Sequence, residues 1–208
     1  MKRALIALGL LALAAGCAQA PQSGSTAAST PTAAPAVKTV TITEASFSCI
    51  RKLEPVRGFY VGNLVGNLNG TLKVARSETG GVYPVGSVVQ LVPTEAMVKR
   101  EAGFNAATND WEFFELAVSP TATRINVRGA AEVKNRFGGN CLSCHAPASA
   151  KWDMICEQSH GCLPIPVTPT MAKAIQNTDP RCEKVDLPPD QVEALRQLAA
   201  ALAPRPAN

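Results

Sequence analysis

The sequence is poor in aromatic residues, which make up 5% of its 208 positions, and it holds only two histidines. Basic residues never gather into a block. The formal charge is +4, and two of the positive charges, Lys2 and Arg3, sit in the N-terminal leader. So weak a bias argues against a nucleic-acid partner. Apolar residues at 46% and charged residues at 17% exclude wholesale disorder. The longest apolar run, Ala4 to Leu13, is too short to span a bilayer as a helix. Cysteine is what the chain has in quantity: seven residues, at positions 17, 49, 141, 144, 156, 162 and 182.

Met1-Lys2-Arg3, the apolar run and the small residues Ala14-Ala15-Gly16 read as a secretory signal peptide over residues 1–16. Leu13-Ala14-Ala15-Gly16-Cys17 resembles a bacterial lipoprotein cleavage box, in which Cys17 becomes the lipidated first residue. Several acyl chains, each methylene contributing about 0.8 kcal/mol, hold a protein at a membrane stably. Plain cleavage near Ala20 is the alternative. Residues 18–37 are Ala, Pro, Ser, Thr, Gln and Gly with one Val and no charge, and with Cys17 they read as a lipid-anchored flexible tether over residues 17–37. Residues 38–208 form the single folded domain. The expected location is the bacterial cell envelope, anchored and facing the periplasm, where thiols oxidise.

The domain reads as α+β: a small antiparallel sheet with flanking helices, then a mostly helical, Cys-rich tail over residues 157–208. Strands are expected at Thr39–Thr43, Thr71–Ala75 after the Asn69-Gly70 turn signal, Ser87–Val92, Trp111–Val118 and Arg124–Arg128. Thr94 is positioned to cap a short helix through Ala102. Thr168-Pro169 opens another helix toward Gln176. Val192, Leu195, Leu198 and Leu202 mark one face of a last helix that stops at Pro204.

Cys141-Leu142-Ser143-Cys144-His145 is the Cys-x-x-Cys-His signature of covalent haem attachment. Two thiols on one helical turn can add to the two vinyl groups, and the next residue offers its imidazole to the iron. The expected cofactor is therefore one covalent haem c, with His145 as axial ligand. A zinc site drawing on Cys156, His160 and Cys162, or a disulfide within the motif, are the competing readings. Cys49, Cys156, Cys162 and Cys182 form an even set, expected as two disulfides with three connectivities open. Cys156 with Cys162, or Cys162 with Cys182, would staple the tail beside the haem.

Gly86-Ser87-Val88-Val89, Asn109-Asp110-Trp111-Glu112-Phe113-Phe114, the haem motif and Asp153-Met154-Ile155, in that order, resemble the cytochrome P-460 and cytochrome c′-β family over roughly residues 58–156. The resemblance implies one c-type haem on a small antiparallel fold, with an iron that binds or oxidises small nitrogen compounds or binds nitric oxide and carbon monoxide. In the crosslinked branch a lysine bonds to the haem. Leu91 stands at the matching position here, and no lysine lies between Lys73 and Lys99. The non-crosslinked, gas-binding branch is the better match.

His160 is the one other histidine and a candidate second axial ligand. Met97, Met154, Met171 or a lysine are further candidates, beside an open sixth position. Phe59, Tyr60, Phe104, Phe113 and Phe114 are candidates to wall a distal pocket or simply to fill the core. Tyr60, Arg124 and Glu112 are residue types suited to distal acid–base work. The expected partners are a small gas or a redox protein. A haem enzyme acting on a small nitrogen species or peroxide, and a structural lipoprotein with a silent haem, are the other function classes.

Overall fold

Six strands, all antiparallel and in sequence order, form the sheet of the computed structural model, which describes residues 39–157 and 159–203. They are β1 (Glu54–Val56), β2 (Phe59–Asn63), β3 (Ser87–Gln90), β4 (Glu95–Lys99), β5 (Trp111–Val118) and β6 (Thr123–Gly129). The helices are α1 (Leu68–Ala75), α2 (Cys141–His145), α3 (Pro169–Asn177) and α4 (Pro189–Leu202). The architecture is α+β, as the residue pattern implies. The leader, Cys17 and the tether lie outside the described residues. No helix among the described residues is long and apolar enough to cross a membrane.

The sheet buries both faces, and each face has its own core. On one, Phe59, Val61, Val89, Met97, Trp111 and Phe113 pack with Ala75 of α1, Tyr83, Val133, Cys141, Met154 and Ile155. On the other, Val88, Ala96, Val98, Phe114 and Leu116 pack with Val40, Ile42 and Phe47. Side chains alternate along a strand, so Phe113 and Phe114 serve opposite cores. The register shift opposite Glu115 and Leu116 lies in β6, where Asn126 is the extra residue, so that Val127 and Ile125 serve opposite cores. Burying Trp111, Phe113 and Phe114 fully stabilises the fold by roughly 1.5–3 kcal/mol each.

Three segments differ from the expectation. Thr71–Ala75 belongs to helix α1, not a strand, because the Asn67 side chain accepts from the Gly70 N–H and caps it. Leu68, Leu72 and Ala75 then share one helical stripe. The stretch after Thr94 is strand β4, not a helix: Ala96 and Val98 face one core and Met97 the other, so a central strand shows no alternation. Val40 and Ile42 are buried by an extended segment that joins no strand, and a short 3-10 turn, Glu44–Ser46, follows.

The tail is bound to the sheet by specific contacts. Thr168 caps α3 by accepting from the Met171 N–H, and Met171 packs on Ala194 and Leu198 of α4. The buried face of α4 therefore runs through Ala194 and Leu198; Val192 and Leu202 are exposed. Gln176 donates to the carbonyls of Gly58 at 2.7 Å and Leu91 at 2.8 Å. Two disulfides resolve the open connectivity: Cys49–Cys182 and Cys156–Cys162. Cys162–Cys182, one of the expected pairings, does not form. The first staples the tail to the start of the domain; the second closes a short loop beside α2.

Candidate haem site

Helix α2 is a single turn made by its own caps. The Asn140 side chain accepts from the Ser143 N–H at 3.1 Å and donates to the carbonyl of Ala131. The Cys141 N–H donates to Val133 O at 3.1 Å, tying the turn to the strap that precedes it. Cys141 and Cys144, three apart, share one side of the turn. Both are free thiols. Cys141 is buried against the Phe113 core, and burial, aided by the charges of Glu95, Cys144 and Glu115, pushes its thiol up to about 12. It is protonated at neutral pH.

His145 follows directly. Its Nδ1–H donates to the carbonyl of Met154 at 2.7 Å. A carbonyl only accepts, so the proton sits on Nδ1 and the lone pair on Nε2. Burial lowers the imidazole's pKa, and the Met154 bond opposes this only in part. The ring is neutral and able to ligate. Its edge meets Phe113, with centroids 5.3 Å apart. Cys156 Sγ, in its disulfide, lies 3.5 Å from the same Nδ1.

The carbonyl that holds His145 belongs to an unusual turn. Asp153 has φ 48° and Met154 φ 64°, two successive left-handed residues without glycine. Each costs on the order of 1–3 kcal/mol and needs its surroundings to hold it. The Asp153 carboxylate accepts from Lys99 Nζ at 2.8 Å through both oxygens and from the Tyr83 N–H at 2.9 Å. Its carbonyl accepts from Trp111 Nε1 at 2.8 Å. No local pattern in the sequence marks the pairing of Asp153 with Lys99, which lie 54 positions apart.

His160 is buried. Its ring stacks on Trp152 at 3.7 Å and 6°, and its Nδ1 rests on Ile155 O at 2.8 Å. The cavity beside it, about 10 Å³, is the size of one water. The zinc reading loses its thiolates, since Cys156 and Cys162 are bonded to each other. Among the described residues, no group of three or more His, Cys, Asp and Glu is placed to hold a metal ion.

The remaining candidates scatter. Phe59 and Phe113 lie on the face of the haem motif and Phe114 on the other. Phe104 is exposed beneath Arg100. Glu112 is buried between Arg100 and Arg128, on the side of β5 away from α2. Arg124 is exposed, and the Tyr60 hydroxyl accepts from Lys173 at 3.3 Å. Sequence reasoning passed over a different pair. Glu95 and Glu115 are direct cross-strand partners, two residues along from Met97 and Phe113 on the haem-motif face. They line a cavity of about 330 Å³ with Asn126, Lys134 and Arg136. Burial lifts the Glu95 carboxyl, the Arg136 N–H and charge temper the lift, and Glu115 adds to it.

The donor set fits a covalently attached haem: two unpaired thiols on one turn and a neutral imidazole with its far nitrogen fixed. Comparison with protein-family models, with curated proteins and with solved structures finds no match to this chain.

Proposed function

We propose that the protein is an exported mono-haem c-type cytochrome, with haem c bound through Cys141 and Cys144 and His145 as axial ligand. The observation that carries this reading is the sorting of the cysteines. Cys49, Cys156, Cys162 and Cys182 are consumed in disulfides, and the thiols left free among the described residues are the two of the attachment motif. Bound there, the group supplies an iron that exchanges one electron and, when ferrous, takes diatomic gases. The residues supply orientation: the Met154 carbonyl fixes the tautomer of His145, and Phe113 limits its tilt.

The reading includes an open sixth position that admits a small gas such as nitric oxide. His160 is engaged elsewhere: its Nδ1 rests on Ile155 O and its ring is stacked on Trp152. Met97 and Met154 are buried in the sheet core, Met171 is buried between α3 and α4, and Lys99 is engaged by Asp153. With Leu91 where the related enzymes carry lysine, no crosslink is expected. Cys17 anchors the protein to the membrane, and its partner is a gas or a redox protein.

Haem staining after denaturing electrophoresis tests attachment. Carbon monoxide added to the reduced protein tests the open site: fast binding is expected, and a low-spin, inert spectrum overturns it. One observation favours a second reading, turnover of a small nitrogen species or peroxide. Glu95 and Glu115, a cross-strand pair of carboxyl groups, line a cavity on the haem-motif face, and carboxyls are residue types suited to acid–base work. Steady-state turnover that falls in Glu95→Gln would select that reading.

A further inference from the structure

On the basis of that haem reading, we propose that Asp153, clamped by Lys99 and Trp111, is the positioning residue that sets the strength and direction of the hydrogen bond on the axial ligand His145. The bond itself runs to the next carbonyl along, Met154 O, at 2.7 Å. Where that carbonyl points depends on two successive left-handed residues, Asp153 at φ 48° and Met154 at φ 64°. Neither is glycine, so the turn has no intrinsic preference for this shape. Tertiary contacts must impose it.

Met154 is packed in the sheet core, and the polar contacts fall on Asp153. Its carboxylate is gripped from β4 by Lys99 and from the loop before β3 by the Tyr83 N–H. Its carbonyl is gripped from β5 by the indole N–H of Trp111. Three anchors from three parts of the sheet layer fix the side chain of Asp153 and the peptide plane that joins it to Met154. Lys99 is itself held by the Asn109 carbonyl, and its side chain is 7% exposed against 3% for Asp153. The pair is therefore screened from solvent, and its geometry transmits to the turn. A hydrogen bond from the Nδ1–H of a ligating imidazole makes the ring a stronger donor, and a stronger donor favours ferric iron. Loosening the turn should therefore raise the reduction potential.

The test uses the holoprotein. Asp153→Asn with Lys99→Met removes both buried charges together, so that neither is left alone in the core. The ferric-to-ferrous ratio at fixed potential should shift about tenfold toward ferrous, a rise of about 59 mV for one electron. Lys99→Arg keeps the pair and should hold the parental value. Trp111→Phe keeps the ring in the core but removes the donor to Asp153 O; it should move the potential the same way by less, and it decides the matter if the double variant does not fold. Val98→Ala, on the other face of the sheet, should lower thermal stability without moving the potential. A parental potential in Trp111→Phe, or in a folded double variant, overturns the proposal. Covalent haem stain in every variant keeps this outcome separate from the haem reading, which fails only if the parent carries no haem.

Discussion

The imidazole of His160 lies flat on the indole of Trp152, with centroids 3.7 Å apart and planes 6° apart. An aromatic pair of this kind, with the hydrogen bond to Ile155 O, stabilises a loop; it does not leave a ring free to reach for a metal. His160→Ala is expected to cost about 2 kcal/mol of stability, measured by denaturant unfolding. It should leave the haem spectrum and the carbon monoxide rate unchanged. A switch from low-spin to high-spin on this substitution would make the haem bis-histidine.

Cys141→Ala with Cys144→Ala should abolish haem stain in the denatured protein. Cys156→Ala with Cys162→Ala should keep it. The motif thiols and the loop thiols are thereby separated in one gel, and loss of stain in the second pair would mean that the disulfide loop takes part in attachment.

The two disulfides should differ in weight. Cys49 and Cys182 are separated by 133 positions and Cys156 and Cys162 by 6. Restricting the unfolded chain over the longer loop is worth about 5 kcal/mol and over the shorter about 2. Unfolding of the two double alanine variants should reproduce that order.

Acid should loosen the tail first. Burial would lift the Asp179 carboxyl, but hydrogen bonds from Arg181 and the Ile50 N–H outweigh it and hold the group below its ordinary range. A depressed folded value means stability that is present at neutral pH, above the unfolded pKa, and lost as pH falls through the folded one. Asp179→Asn should lower stability at pH 7 by about 3 kcal/mol, since it leaves Arg181 without its partner. It should also flatten the decline below pH ~4. Unfolding curves from pH 7 to pH 2 decide this; a parallel decline in parent and variant would rule Asp179 out as the acid-sensitive group.

Helix α2, β5, β6, α3 and α4 were legible because each carries its signal locally: a spaced motif, an alternating run, a capped start. The β1–β2 hairpin was not. Pro55 sits in an edge strand, the turn uses Arg57 and Gly58 at positive φ, and Phe59–Asn63 is buried on both faces with no alternation. Asn69-Gly70 misled because the cap on Asn67 converts a turn signal into a helix. At the site, Cys141, Cys144 and His145 could be read directly. Lys99 and Asp153 could not: they lie 54 positions apart, and burial alone makes their pairing meaningful.

The Cys49–Cys182 bond encloses helix α2 and every strand of the sheet within one covalent ring. A protease that cuts the strap at residues 134–138 would therefore produce two polypeptides that stay joined. On a gel without reductant the nicked protein would run as one band; with reductant it would part in two, and haem bound as proposed would travel with the C-terminal piece alone. If the protein is exported and carries haem as proposed, a cut backbone need not mean a lost cofactor.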